Sequence, residues 1–456
     1  MLCRAGEKER FGSLWGSPWQ WKKLMEQLSP SAEVQAETEG SGRLTRRLPP
    51  ALRYPAYRAF WLGMLASVSG FQMFQFAQLW QVHQLRPDSP LFLGYVGAAN
   101  AIPAIVLNLA GGVVADKLDQ RRLIIATQTL SALLAFLLAT ITALGMVRVE
   151  HVLIIAFFAG GVQAFDGPAR QSLFPYLIDR RVMTNAVALN SSIWQGTRIA
   201  APAAAGVIIS LLSTEAAFYV TCFGFLALAA IIYRLKIPRI ERGANTGAGR
   251  DILEGVKFIK GNYVVAFLIG QTFFNSFLGL SYIMLMPIFA VDVLNVGADG
   301  QGMLLAASGV GSLISTFWLS SLGRVRYQGL LLIGGATLDG LCVAAFALTS
   351  HFVGSYLLAL ALVFIVGFFN SMYMISVQST LQTLVPDRMR GRVLGFYGMT
   401  WSILPLGGMQ AGAVASLIGA PFAVAIGGLA VASFALGPAL INPRVRNLGA
   451  LLRQPA

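Results

Sequence analysis

The run Gly112-Val-Val-Ala-Asp116-Lys117-Leu-Asp119-Gln-Arg121-Arg122 is a charged turn between two long apolar stretches, 91–115 and 123–146. Each residue type in it has a physical reason. Gly112 lets a neighbouring helix approach closely. Asp116 stands at the edge of the apolar stretch, where it can face the positive N-terminal end of another helix. Lys117, Arg121 and Arg122 can pair with acids on neighbouring helix ends. Such a turn ties helix ends together at a membrane surface, and the ties must break if those helices part.

Outward from this turn, the rest of the chain repeats the alternation of apolar stretch and short polar break. Of 456 residues, 56% are hydrophobic and only 12% are charged, against roughly a quarter charged in soluble domains. A hydrocarbon core about 30 Å thick needs about 20 apolar residues in helix. Twelve stretches meet that length: 60–82, 91–115, 123–146, 151–173, 187–212, 216–235, 264–291, 301–321, 329–349, 353–378, 393–417 and 421–441. Lys and Arg gather in the connections after the even-numbered spans. Those on the other side hold only Arg86 and Arg148. The net charge of +14 is therefore a topogenic signal that puts both termini in the cytoplasm, not a nucleic-acid footprint.

The longest internal connection, near 236–262, is basic and contains Gly243, Gly247 and Gly249. It reads as a cytoplasmic linker between an N-terminal half, 59–235, and a C-terminal half, 263–441. Within it, Ile252, Val256 and Ile259 give 251–260 the pattern of an amphipathic helix. Residues 1–58 read as a polar, disordered cytoplasmic tail. Trp15, Trp19 and Trp21 allow an interfacial segment as a second reading. Residues 442–456 form the other tail. Shifting the chain by 208 positions lays Leu173, Leu177, Asp179 and Arg180 on Leu381, Val385, Asp387 and Arg388. That is the mark of an internal repeat, which in transporters places the substrate between the halves.

The 112–122 turn resembles the loop signature of the major facilitator superfamily, Gly-x-x-x-Asp-Arg-x-Gly-Arg-Arg. It departs from that signature at Lys117, Asp119 and Gln120. Three further stretches narrow the resemblance: Ala164-Phe-Asp166-Gly-Pro168-Ala-Arg170-Gln-Ser-Leu, Asn185-Ala-Val-Ala-Leu-Asn190-Ser-Ser, and Val385-Pro-Asp387-Arg-Met-Arg390-Gly391-Arg392-Val. They resemble the branch that contains the enterobactin exporter, transmembrane secretion effectors and macrolide-efflux proteins. The resemblance implies an all-α integral membrane fold with 12 transmembrane helices in two six-helix halves. Thr197-Arg198-Ile-Ala-Ala201-Pro202-Ala-Ala-Ala205-Gly206 resembles the superfamily's antiporter motif with three glycines replaced. Its small residues still offer a closely packable face, as do Pro405, Gly408 and Gly412.

Charges inside spans are expensive, about 2.5–3.5 kcal/mol each on insertion scales, so they mark candidates. Asp166 and Arg170 are spaced to share a helix face and could pair, though Pro168 lies between them. Arg198 sits deep in the fifth span, and Asp166 on the neighbouring span is its expected partner. Asp339 stands at the centre of the ninth span without an evident charge partner. It is the cleanest candidate for a carboxyl that titrates during transport. These four are candidates for coupling or for intramembrane ion pairs. Gly112, Asp116, Lys117, Arg121 and Arg122 form the candidate cytoplasmic gate. By the same resemblance, polar residues of the first, fourth, seventh and tenth spans face a central cavity. Here they are Gln72, Gln75, Gln78, Gln163, Gln271, Asn275, Tyr282, Asn370 and Tyr373. The three glutamines of the first span form a polar stripe, with Phe71, Phe74 and Phe274 as aromatic neighbours.

There is no Gly-x-x-x-x-Gly-Lys-Ser/Thr phosphate loop, which argues against an ATP-driven pump. His83, His151 and His351 fall near span ends without metal-ligand spacing, so neither a metal site nor a cofactor is expected. The expected protein is a secondary transporter, not an enzyme, in a bacterial-type inner (plasma) membrane. It exports a small siderophore- or drug-like organic compound by proton antiport, as a monomer, with protons and the bilayer as its other partners. A proton-linked importer and a lipid flippase are the competing readings.

Overall fold

The computed structural model describes residues 48–117, 119–235, 248–321 and 328–441. They fold into helices and short turns alone. A 3-10 turn, Pro50–Arg53, leads into α1 (Pro55–Leu85). Then follow α2 (Leu91–Lys117), α3 (Gln120–Ala143), α4 (Val149–Leu173), α5 (Met183–Leu211) and α6 (Thr214–Arg234). After a short surface helix, α7 (Ala248–Gly261), come α8 (Tyr263–Phe274) and α9 (Tyr282–Ile288), then α10 (Gly297–Ser321), α11 (Gln328–Phe352) and α12 (Tyr356–Leu384). The last three are α13 (Asp387–Met399), α14 (Leu404–Ile418) and α15 (Ala420–Ile441).

The boundaries follow local chemistry. Asp119 caps α3 by accepting from the backbone N–H groups of Arg121 and Arg122. Ser213, Asn262 and Ser355 cap α6, α8 and α12 in the same way. The turn between α14 and α15 needs Gly419, whose φ of 88° no residue with a Cβ adopts comfortably. Between α8 and α9, a π-turn over Asn275–Gly279 interrupts the helix, and a second covers Phe289–Val293. Such π-turns cluster at functional sites.

Nine helical stretches among the described residues are long and apolar enough to cross a membrane. The expected count was twelve. Helices α1, α2 and α5 are the ones missing from the nine. Of α2, Leu91–Leu107 is apolar among the described residues and is shorter than a span. Helices α1 and α5 are long, but carry polar residues such as Ser67, Gln78 and Thr197 that turn into the bundle and are buried there. Mean hydropathy penalises such residues wherever they point.

Packing falls into two sets. In the first, α1 lies against α5 and α6, α2 against α4, and α3 against α4 and α6. In the second, α12 lies against α10 and α11, and α15 against α11 and α14. The main contacts between the sets are α5 on α10 and α2 on α14. Repeat spacing survives at the level of elements: α11 starts 208 positions after α3 (328 against 120), and α8 starts 208 after α1 (263 against 55).

The two seams between the sets depend on missing side chains. A Cβ at Gly206 or Gly302 would strike the backbone of Ala298 or Pro202, closing α5 onto α10. A Cβ at Gly94, Gly97 or Gly412 would strike the backbone of Met409, Pro405 or Pro90, closing α2 onto α14. All five lie toward the end of the bundle opposite the turn between α2 and α3. At that same end His83 Nε2 of α1 lies 3.3 Å from Asp292 Oδ1 of the second π-turn.

The stretches singled out in the sequence become docking points. Asn185 accepts a hydrogen bond from the Ala51 N–H at 2.9 Å. Tyr57 donates to the Ala186 carbonyl at 2.9 Å, and Trp61 Nε1 to the Leu189 carbonyl at 3.1 Å. The 185–190 stretch therefore anchors the start of α1. The 385–393 stretch does the corresponding work for α7: Arg392 pairs with Glu254 at 2.8 Å, and Phe396 covers Gly255. The expected amphipathic helix over 251–260 thus lies within α7. The tail over 1–47, the linker over 236–247 and the tail over 442–456 lie outside the described residues, as do the side chains of Gly112, Asp116 and Lys117.

Candidate functional site

Helices α1, α3 and α4 bring together one buried polar ring. Asp166 and Arg170 lie one turn apart on α4 and form an ion pair, both nearly fully buried. Helix α4 runs unbroken through Pro168, so the pair forms despite it. Thr127 and Gln128 of α3 donate to Asp166 Oδ1 at 2.8 and 2.9 Å. Arg170 donates to Ser67 Oγ at 3.1 Å, and Ser67 in turn donates to Gln128 Oε1 at 2.7 Å. The ring closes on itself and offsets part of the desolvation of both charges, although the buried Arg170 Nε has no acceptor among the described residues.

That ring is the floor of a cavity. Its lining includes Phe71 and Phe74 of α1, Asn100 of α2, Gln128 of α3, Gln163 and Arg170 of α4, and Trp194 of α5. Trp194 is 42% exposed and meets Phe71 edge-on at 6.4 Å between ring centroids. An indole, phenyl rings and amides thus share one small space of about 20 Å³, wide enough in this conformation for little more than water.

In the second set the arrangement differs. Asp339 of α11 is 2% exposed. Its Oδ2 accepts from Asn275 Nδ2 at 2.9 Å and from Asn370 Nδ2 at 3.1 Å. Its Oδ1 is buried without a hydrogen-bond partner among the described residues. Asn370 also donates to Asn275 Oδ1 at 3.3 Å. Asn275 heads the first π-turn, so the irregular helix aims an amide at the carboxyl.

Several sequence expectations are corrected by these positions. Asp166 is not the partner of Arg198. It pairs with Arg170, within hydrogen-bonding reach on its own helix, while Arg198 interacts electrostatically with Tyr282 of α9. Among the described residues, Arg121 and Arg122 meet no acid on a neighbouring helix end. Arg121 Nε donates to the Ile232 carbonyl at 3.1 Å, and its guanidinium also binds the Tyr233 carbonyl. These are last-turn carbonyls of α6, the negative end of that helix. Arg122 pairs at 3.8 Å with Asp119 of its own turn. Phe274 stacks on Phe434 of α15 at 4.2 Å, away from Phe71 and Phe74.

The polar residues expected to face one cavity divide. Gln163 lines it, together with Phe71 and Trp194. Asn275 and Asn370 are engaged with Asp339, and Tyr373 donates to Thr272 Oγ1 at 3.2 Å. Tyr282 lies 3.5 Å from Ser308. Gln271 is fully buried, with neither amide atom bonded among the described residues, and Gln78 Nε2 is in the same state. Gln72 and Gln75 are half-buried. The roles of Ser67, Thr127, Gln128 and Trp194 went unread. The available signal was Gln128, the one amide in a third span whose other polar residues are Thr and Ser.

A bundle of membrane-length helices in two repeated sets, with polar rings inside each, defines a membrane transporter of the major facilitator type rather than an enzyme. Within that class, the transmembrane secretion effector family matches residues 47–452, and the chain belongs to it. A staphyloferrin A transporter of Staphylococcus aureus is 24% identical over 337 residues, covering 72% of this chain and 82% of the relative. Macrolide efflux protein A of Streptococcus pyogenes is 20% identical over 393 residues, covering 85% and 96%. A crystal structure of a bacterial homolog of the human lysosomal transporter Spinster superposes with a TM-score of 0.69 at 14% identity, covering 88% of this chain and 99% of that one.

Proposed function

We propose that the protein is a secondary active exporter of a small siderophore- or drug-like organic compound, working by alternating access. The observation that carries this reading is the asymmetry of the seams. The glycine contacts that press α5 onto α10 and α2 onto α14 lie toward one end, with His83 and Asp292 beside them. Two repeated sets sealed at one end are built to rock about a central site.

In this reading the sets are two six-helix halves, 59–235 and 263–441, with twelve spans in all. The sealed end faces outside, and the termini and the 112–122 turn face the cytoplasm. The turn acts as the inner latch. Arg121 on α6 and Arg122 on Asp119 hold contacts within the first set, as a latch does when the inner side is open. The efflux relatives support export over import. Asp339 is the proposed proton-coupling carboxyl, since its Oδ1 is free to hold a proton, and the protein acts as a monomer.

The test compares small molecules inside and outside cells of a deletion strain carrying no gene, the wild-type gene or Asp116→Asn. Export predicts a compound retained by the deletion strain, released with the wild type, and released several-fold more slowly with Asp116→Asn at equal membrane abundance. A compound that enters only with the wild-type gene would make the protein an importer. Wild-type export by Asp116→Asn would remove the latch.

A further inference from the structure

We infer that Arg198 is a substrate-binding residue and that the transported compound is an organic anion carrying a carboxylate or a similarly forked acid. This deepens the export reading and rests on it for the word "transported". Among the charged residues of the long helices, four stand within the apolar spans and are enclosed by protein: Asp166, Arg170, Arg198 and Asp339. Three have partners. Asp166 and Arg170 neutralise one another, and Asp339 is held by two amides. Arg198 has neither a carboxylate nor a hydrogen-bond acceptor among the described residues. The titratable group that acts on it is the Tyr282 phenol of the opposite set, which cannot neutralise it.

Its position is at the edge of the seam between the two sets. Residue 198 lies near the middle of α5, Met183–Leu211. The next residue, Ile199, packs on Gly309, and from there toward the sealed end Pro202 meets Gly302 and Gly206 meets Ala298. Arg198 therefore stands where the closed α5–α10 seam begins. It keeps accessible surface although protein surrounds it, as a side chain bordering an internal space does. One turn earlier on α5 is Trp194, exposed and facing the cavity of Phe71 and Gln163.

The charge pattern selects the ligand. A guanidinium deep in a membrane protein is costly unless paired, and its planar fork matches a carboxylate in two parallel hydrogen bonds. A cationic drug would need an open carboxylate. Asp166 is held by its ring, and Asp339 is 2% exposed with its Oδ2 taken by Asn275 and Asn370. A cation would also meet Arg198 as a like charge. An anion with an apolar body finds both its counter-charge and an indole.

The test uses the full-length protein, purified and solubilised, in equilibrium dialysis. The probes are 1-naphthaleneacetate, benzylpenicillin and citrate, each against its methyl ester, with rhodamine 6G as the organic cation. The expected result is that at least one carboxylate binds roughly tenfold or more tightly than its ester. Arg198→Gln should abolish that preference, and Arg198→Lys should keep part of it. If no carboxylate is preferred to its ester, or if Arg198→Gln keeps the preference, the inference falls. Should Arg198→Gln not elute as a monodisperse protein, the ester contrast on wild type and the Arg198→Lys result decide. Equilibrium binding reads neither direction nor coupling. An importer would still pass this test, and an exporter of neutral compounds would fail it while still exporting.

Discussion

Asp166 and Asp339 are equally buried, at 2% exposure each, yet they are handled in opposite ways. Asp166 has a cation one helical turn away, plus a hydroxyl and an amide from α3. Asp339 has two amides on one oxygen and nothing on the other among the described residues. Asp166 itself is saturated, with both oxygens bonded, although the Arg170 Nε beside it has no acceptor among the described residues. Asp339 has a vacant oxygen where a proton can be held. Burial alone does not tell the two carboxyls apart; the acceptor left unused on Asp339 does.

The largest effect should come from breaking the site around Asp166. Removing one member of a buried ion pair leaves an uncompensated charge, which costs about 3–5 kcal/mol. Arg170→Met should therefore lower membrane yield and the melting temperature of the solubilised protein sharply. Adding Asp166→Asn to Arg170→Met should recover part of the loss, because the stranded charge is then gone. Additive losses in thermal melts would show that the two residues act apart, and the contrast with Asp339 would lose its first half.

Asp339→Asn should behave differently. The change keeps shape and removes the desolvation burden along with the charge, so stability should move by about 1 kcal/mol or less. Flux should change more than stability. An amide cannot gain and lose a proton here, so the dependence of transport on pH should flatten. The measurement is initial efflux rate against pH for wild type and variant at matched abundance. An unchanged profile with a large loss of melting temperature would make Asp339 a second structural carboxyl, and the comparison would collapse.

Much of this was legible beforehand, for physical reasons. Membrane spans declare themselves by length and apolarity, and the repeat showed in Asp179-Arg180 and Asp387-Arg388 because both stand where the chain enters corresponding helices, the first through the 3-10 turn Arg180–Val182 before α5 and the second at the start of α13. The i,i+4 spacing of Asp166 and Arg170 was enough to put them on one face. Arg198 was misassigned because adjacency in sequence says nothing of which face of α5 it takes. Asn275 and Asn370 read as cavity residues, since a polar side chain in a span looks the same whether it meets substrate or a buried carboxyl. The π-turn at Asn275–Gly279, which turns that amide toward Asp339, has no sequence signature of its own. In Gly112, Asp116 and Lys117 the motif was legible, but their side chains lie outside the described residues.

The smallest effect sharpens the comparison from the second set. Tyr373 donates to Thr272 Oγ1 at 3.2 Å, and Thr272 keeps its own bond to the Leu268 carbonyl at 2.9 Å. Tyr373→Phe therefore removes a donor without stranding the acceptor. The expected loss is that of one ordinary hydrogen bond, about 0.5–1.5 kcal/mol, seen as a small drop in melting temperature with the pH profile of efflux intact. This variant is the control for Asp339→Asn, since both lie in the same polar interior. If Tyr373→Phe also flattened the pH profile, the response would belong to packing of the whole second set. If only Asp339→Asn does so, the open oxygen of one carboxyl carries it.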